Sequence, residues 1–207
     1  NMTMKYILIS LAGLFLFIRS CRNEQEKMSR SPEDSPASLV YPLLDAANSR
    51  WFYFSSATRP FGMVNLSPDM AIDGAWNSGY RYDEDSIRFF SHIHAWQLSG
   101  IPVMPLTGTF KGHLGAEVYG SAYSHDTEVV RPGYHSVFLD SYGIRAELTS
   151  TTRVGFHRYS YPASDEKYLL IDLGTILGPC GTEKGCARRV GNMQIEGWAL
   201  MAATRRR

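Results

Sequence analysis

The sequence predicts an all-β chain folded as an antiparallel β-sandwich. Short runs of alternating apolar and polar residues return about every ten residues, with turn signals between them. Aromatic residues make up 13% of the 207, as 4 Trp, 12 Tyr and 10 Phe. Glycine (18) and proline (10) together slightly exceed their usual share of roughly 12%. Beyond the first segment, no long stretch carries the 3.6-residue period of an amphipathic helix. Charged residues are 20% and hydrophobic ones 44%, which excludes disorder over most of the chain. With 21 Lys and Arg against 20 Asp and Glu the net charge is +1, which argues against a nucleic-acid binder relying on a broad basic surface. Three cysteines are too few for a disulfide scaffold.

Residues 1–21 read as an export signal. Met4 and Lys5 precede an apolar run over 6–18 broken only by Ser10 and Gly13. That run of about 13 residues is short of the about 20 that a membrane span needs. It ends Ile18-Arg19-Ser20-Cys21, which resembles a bacterial lipoprotein box with Cys21 as the lipidated residue. Arg19 departs from the usual small or apolar residue there. Residues 22–38, rich in Glu, Gln, Lys, Ser, Pro and Asp, form a tether and no core element. A folded domain is expected over 39–207.

Strands are expected at 51–54, 63–66, 87–94, 103–106, 134–139, 144–151, 155–161, 168–173 and 193–201. In 87–94, strict alternation would put Arg88, Phe90, His92 and His94 on one face. Pro105 marks 103–106 as an edge or a strand end. Pro132-Gly133, Ser141-Tyr142-Gly143 and 162–167 are turns. The chain stops at Arg205-Arg206-Arg207 without a closing strand, so a longer parent polypeptide is expected.

Candidate chemistry centres on 76–96. His92 and His94, two apart on a strand, share a face and could ligate zinc with a third ligand; more often such a pair serves as hydrogen-bonding histidines by a polar cleft. Trp76, Tyr80, Tyr82 and Trp96 are rings of the kind that stack on sugars, although a core role suits any one of them. Asp83, Glu84 and Asp85 form an acidic run that can bind a cation or be a solvated turn. The spacing of Cys180 and Cys186 leaves a disulfide between them open. Neither a phosphate loop, a nucleophile elbow nor an HExxH motif is present.

Several segments in order resemble glycoside hydrolase family 92, the exo-acting α-mannosidases. Residues 59–69 (RPFGMVNLSPD) are similar to its PFGM-V-LSPD segment, 78–82 (SGYRY) to SGY-Y and 90–94 (FSHIH) to FSH-H. Ser124-His125-Asp126, Pro132-Gly133-Tyr134 and 142–149 (YGIRAELT) resemble FSH, PGYY and YGI-AELT; 153–159 (RVGFHRY) resembles R-G-HRY. The chain departs from the family at 47–57, where many members carry a Gly- and His-rich stretch, and after His94, where Ala95-Trp96-Gln97 precedes Leu98-Ser99-Gly100. The resemblance implies a divergent N-terminal, supersandwich-like domain whose (α/α)6 barrel lies beyond this chain. It implies calcium and an inverting acid–base pair, both held mainly by that barrel, so no catalytic residue and no metal ligand is assigned here. The partners it implies are a mannose-containing glycan, the barrel and, through Cys21, a membrane of the bacterial cell envelope (periplasm or outer membrane). Trp76, His92, His94, Trp96 and Arg59 are then the substrate-facing residues. The alternative is a stand-alone carbohydrate-binding lipoprotein without catalysis.

Overall fold

A computed structural model describes residues 35–47, 57–72, 79–94, 101–163, 166–178 and 180–203. The signal and lipidation expectations, the strand at 51–54, and Trp76 and Trp96 lie outside these residues. The structure divides between Val40 and Tyr41. In the first unit Ser35 caps an exposed 3-10 turn, Pro36–Leu39, its Oγ accepting from Ala37 N at 3.3 Å. Everything below belongs to the second unit. Among the described residues no helix is long and apolar enough to cross a membrane.

The described residues form thirteen strands: β1 Ala57–Thr58, β2 Asn65–Asp69, β3 Ser86–Ile87, β4 Phe89–Ser91, β5 Val103–Thr107, β6 Ser121–Ala122, β7 Val129–Arg131, β8 Tyr134–Leu139, β9 Ile144–Ser150, β10 Gly155–Ser160, β11 Lys167–Ile171, β12 Cys180–Arg189 and β13 Ile195–Ala203. One sheet runs β1-β2-β4-β5-β11 and the other β10-β9-β8-β7; β3-β6 and β12-β13 are two-stranded. Every pairing is antiparallel. The predicted all-β antiparallel sandwich is therefore the observed fold.

The second sheet follows the sequence pattern closely. In β9, Ile144, Ala146, Leu148 and Ser150 are buried while Arg145, Glu147 and Thr149 are less so, the two-residue period of a strand with one wet face. Pro132-Gly133 closes the β7–β8 hairpin, with Arg131 opposite Tyr134 and Gly133 at φ 77, a backbone shape that favours glycine after proline. Val137 and Leu139 of β8 and Ile144 and Leu148 of β9 join Leu66, Phe90, Met104 and Leu106 of the first sheet in one core.

The first sheet departs from expectation in two places. The strand read over 87–94 is broken. Ser86–Ile87 pairs with β6, Phe89–Ser91 pairs with β2, and pairing ends at Ser91. Phe89, Phe90 and Ser91 are all buried, so alternation across a single strand fails there. Pro105 is not at an edge: β5 lies between β4 and β11. Its β4 side is paired only at Val103, so the missing N–H of Pro105 removes no described ladder bond there.

Cys180 and Cys186, whose spacing left open a disulfide-closed loop, both lie on the long strand β12. Cys180 lies opposite Ala203 and Cys186 opposite Trp198. Six residues along an extended strand separate their Cα atoms by roughly 20 Å, against at most about 7 Å in a disulfide, so this backbone excludes a bridge between them. The β12–β13 ribbon is wet on both faces over most of its length, with Met193, Ile195, Trp198 and Leu200 at least half exposed.

Candidate functional site

Three polar networks organise the second unit, and five of the six histidines take part in them. The first is a fully buried charge pair. His94 folds back from the end of β4 and places Nε2 2.7 Å from Asp69 Oδ1. Its Nδ1 bonds the Asn65 carbonyl, and Ser91 Oγ donates to Asp69 Oδ2 at 2.6 Å. Neither the Asp69 nor the His94 side chain touches solvent. Burial disfavours the imidazolium, but the Asp69 carboxylate and the Asn65 carbonyl outweigh it and hold the His94 pKa above its ordinary value. Ser, His and Asp meet here without making a nucleophile. The serine O–H is donated to the Asp69 carboxylate and not to the imidazole, and both ring nitrogens face acceptors of their own.

The second network surrounds Glu128. Its carboxylate accepts from Tyr80 Oη at 2.9 Å, from His135 Nε2 at 2.7 Å and from His125 Nδ1. The exposed Tyr82 stacks on His125 with ring centroids 4.0 Å apart. Burial would raise the Glu128 pKa, but His135, His125 and Tyr80 reverse that and hold it below the carboxylate range. His135, enclosed in the core, is pushed down by burial against the pull of Glu128.

The third network spans the two sheets. His92, just past β4, sets Nε2 2.8 Å from Nε2 of His157 on β10. Tyr159, two residues further on the same face of β10, places Oη 2.7 Å from His157 Nδ1. Burial and the neighbouring His92 push the His157 pKa down to about 4; burial, foremost, lowers His92 as well. A cavity of about 240 Å³ adjoins His92, walled by Ile101, Val103, Ile171, Leu173 and Ile195; among the described residues His92 is its one polar side chain.

His92 needs Gly155 beneath it. A Cβ at Gly155 would lie 2.5 Å from His92 Cδ2 and 3.0 Å from Nε2. Gly155→Ala is expected to push His92 off His157 and to cost about 1–3 kcal/mol. Thermal melting together with the histidine ring resonances checks this; an unchanged His92 signal would contradict it.

The residues expected from sequence at the site are thus dispersed. His92 is partly exposed beside the cavity, but His94 is buried and gives neither ring nitrogen to a ligand. The expectation that the two histidines share one face, and that both meet substrate, is corrected. The strand ends at Ser91, and Asp69 and Asn65 draw His94 inward. No zinc pair forms. Arg59 is exposed in the turn before β2, where Gly62 N bonds its carbonyl at 2.8 Å. The next residue but one, Phe61, is fully exposed at φ 61. Of the acidic run, Asp83 is held by Arg81 at 3.2 Å, and that bond lowers its pKa. Among the described residues no group of three or more His, Cys, Asp or Glu side chains is arranged to hold a metal ion, whereas calcium takes six to eight oxygen ligands. These residues do not fit a calcium site. Sequence reasoning assigned no role to Asp69, Ser91, Glu128, His135, His157 or Tyr159. The alternation of His157 and Tyr159 along β10 was the available signal, since it puts both on the inward face.

Fold and networks define an antiparallel β-sandwich module with a polar seam between its sheets. The sequence profile of the Glycosyl hydrolase family 92 N-terminal domain matches residues 39–206, and the chain belongs to that family. The family GH92 alpha-mannosidase BT3965 from Bacteroides thetaiotaomicron, solved in complex with mannoimidazole, is 30% identical with a TM-score of 0.65, over 78% of this chain and 23% of that one. The GH92 family glycosyl hydrolase ccman5 is 23% identical over 79% of this chain and 24% of its own length, with a TM-score of 0.61. The family GH92 inverting mannosidase BT2199 from Bacteroides thetaiotaomicron VPI-5482 is 22% identical with a TM-score of 0.51, over 73% of this chain and 23% of that one. These last two likenesses concern the fold. The chain spans about a quarter of the length of these solved relatives. No curated protein sequence matches it.

Proposed function

We propose that this chain is the N-terminal sandwich of an exported α-mannosidase that removes mannose from glycans, with a rim of its side chains facing the sugar. Membership of family 92 over 39–206 is the observation that carries this reading. The mannoimidazole complex of a relative 30% identical supports a mannose-type substrate. His92 is the described residue best placed for the rim, partly exposed beside the cavity. Trp76, Trp96 and Arg59 are proposed with it. His94 takes the role of buried support. The acid and base of an inverting reaction, and the ligands of a calcium ion, are assigned to polypeptide outside this chain. Export and anchoring through Cys21 belong to the same proposal.

The test is mannose release from an α-linked mannobiose, with calcium, by the enzyme that contains this chain. The chain alone is expected to release none. In the whole enzyme Trp76→Ala is expected to lower kcat/KM about ten- to a hundred-fold with little change in melting temperature. A large fall in melting temperature with unchanged kcat/KM would return Trp76 to the core. Release of a different sugar in place of mannose would overturn the substrate.

A further inference from the structure

The bond between His92 and His157 joins two Nε2 atoms 2.8 Å apart, so only one of them carries a proton. Both rings are neutral near pH 7, because burial holds both pKa values below the ordinary histidine value. Two arrangements remain. In one, Tyr159 donates its O–H to His157 Nδ1, His157 donates Nε2–H to His92 Nε2, and His92 carries its own proton on Nδ1. In the other, both bonds run the opposite way and His92 Nδ1 is a bare lone pair.

The phenol decides between them. Tyr159 Oη has His157 Nδ1 as its one side-chain partner among the described residues, and burial keeps the phenol protonated by raising its pKa. Running the bonds backwards would strand that O–H in a desolvated site, whereas the first arrangement leaves its spare donor, Nδ1–H, on the partly exposed ring of His92, so the reverse is the costlier. Hydrogen bonds on one ring nitrogen thus set the state of the other. His92 Nδ1 has no partner among the described residues, and its ring borders the apolar cavity.

We propose that Tyr159 and His157 form a relay that locks His92 as its Nδ1–H tautomer, making the ring a hydrogen-bond donor to an acceptor oxygen of the bound sugar. His157 and Tyr159 are positioning residues; His92 alone would touch the ligand. The sugar in this statement rests on the mannosidase reading above, while the relay stands on the geometry alone.

The experiment is long-range nitrogen–proton NMR of the histidine rings in the isotope-labelled chain, near pH 7, first without and then with methyl α-mannoside. Without sugar, His92 should show a protonated Nδ1 and a bare Nε2, and His157 the reverse. Tyr159→Phe should shift the tautomer ratio of His92 about five- to tenfold toward Nε2–H, since it removes the bond that orders the relay. A wild-type His92 found as Nε2–H, or a Tyr159→Phe ratio equal to wild type, overturns the relay. Methyl α-mannoside should move the His92 Nδ1 resonance and leave that of His113, outside the networks, in place. If the tautomers are as assigned but the sugar moves nothing at His92, the relay holds and the mannoside contact at His92 is overturned.

Discussion

His94→Leu is expected to destabilise the second unit by about 3–5 kcal/mol, because it leaves the Asp69 carboxylate buried with Ser91 as its remaining side-chain donor. For a unit of this size that corresponds to a fall in melting temperature of roughly 10 °C. The loss comes from the stranded charge more than from the pair's net worth, which is small once desolvation is set against attraction. Adding Asp69→Asn to His94→Leu should therefore recover much of the loss, because the buried group is then neutral. Chemical denaturation of wild type, single and double variants checks this. A single variant within 1 kcal/mol of wild type, or a double variant no better than the single, would show that the pair is not held as an ion pair.

Acid should unfold the chain through the inter-sheet histidines. His157 has a folded pKa of about 4 against 6.5 when unconstrained. Between those values the unfolded chain takes up a proton that the folded chain refuses, so stability present above pH 6.5 is lost as pH falls toward 4. The shift corresponds to roughly 2–3 kcal/mol after allowance for solvent screening at the exposed edge of the ring. His92 and His135, also lowered, add to the loss with the same sign. Glu128 adds below its unconstrained value of 4.5, where its stabilising bonds fail as it protonates. His94 runs the other way. Its raised pKa gives stability that is full below 6.5 and lost as pH climbs through the folded value. Denaturation at steps from pH 7 to pH 4 should show the net fall, and His157→Phe should remove about one proton from the slope between pH 5 and 6. A stability profile that rises toward pH 4 would contradict the neutral assignment of His92 and His157.

How much of this could be read from sequence depends on the local chemistry. β9 and β10 were legible because each alternates between a more and a less exposed face, and β8 because Pro132-Gly133 and Ser141-Tyr142-Gly143 bracket it. Residues 87–94 misled. Periodicity continues through His94 in the sequence, but two partners, β6 and β2, divide the segment, and Asp69 captures His94. That capture is a long-range event, 25 residues away in the chain, and no local pattern encodes it. β12 was missed because Gly181, Gly185 and the charged residues between them look like a turn, and only pairing with β13 makes them a strand. Of the candidate site, His92 was legible as a polar residue beside aromatic ones. His157 and Tyr159 required the register of β10 against the opposite sheet to be known.

The ribbon of β12 and β13 affects how the stability of this protein is to be measured. A two-stranded ladder with both faces in water opens locally at little cost, well below the free energy that opens the core. Trp198, the one tryptophan among the described residues, sits on that ribbon, more than half exposed. Fluorescence that includes its emission mixes ribbon fraying with unfolding of the sandwich. Buried reporters on β8 and β9, such as the amides of Val137 and Leu148, follow the cooperative transition instead. Two probes on one chain will then give two midpoints, and the gap between them measures how loosely the ribbon is tied to the rest.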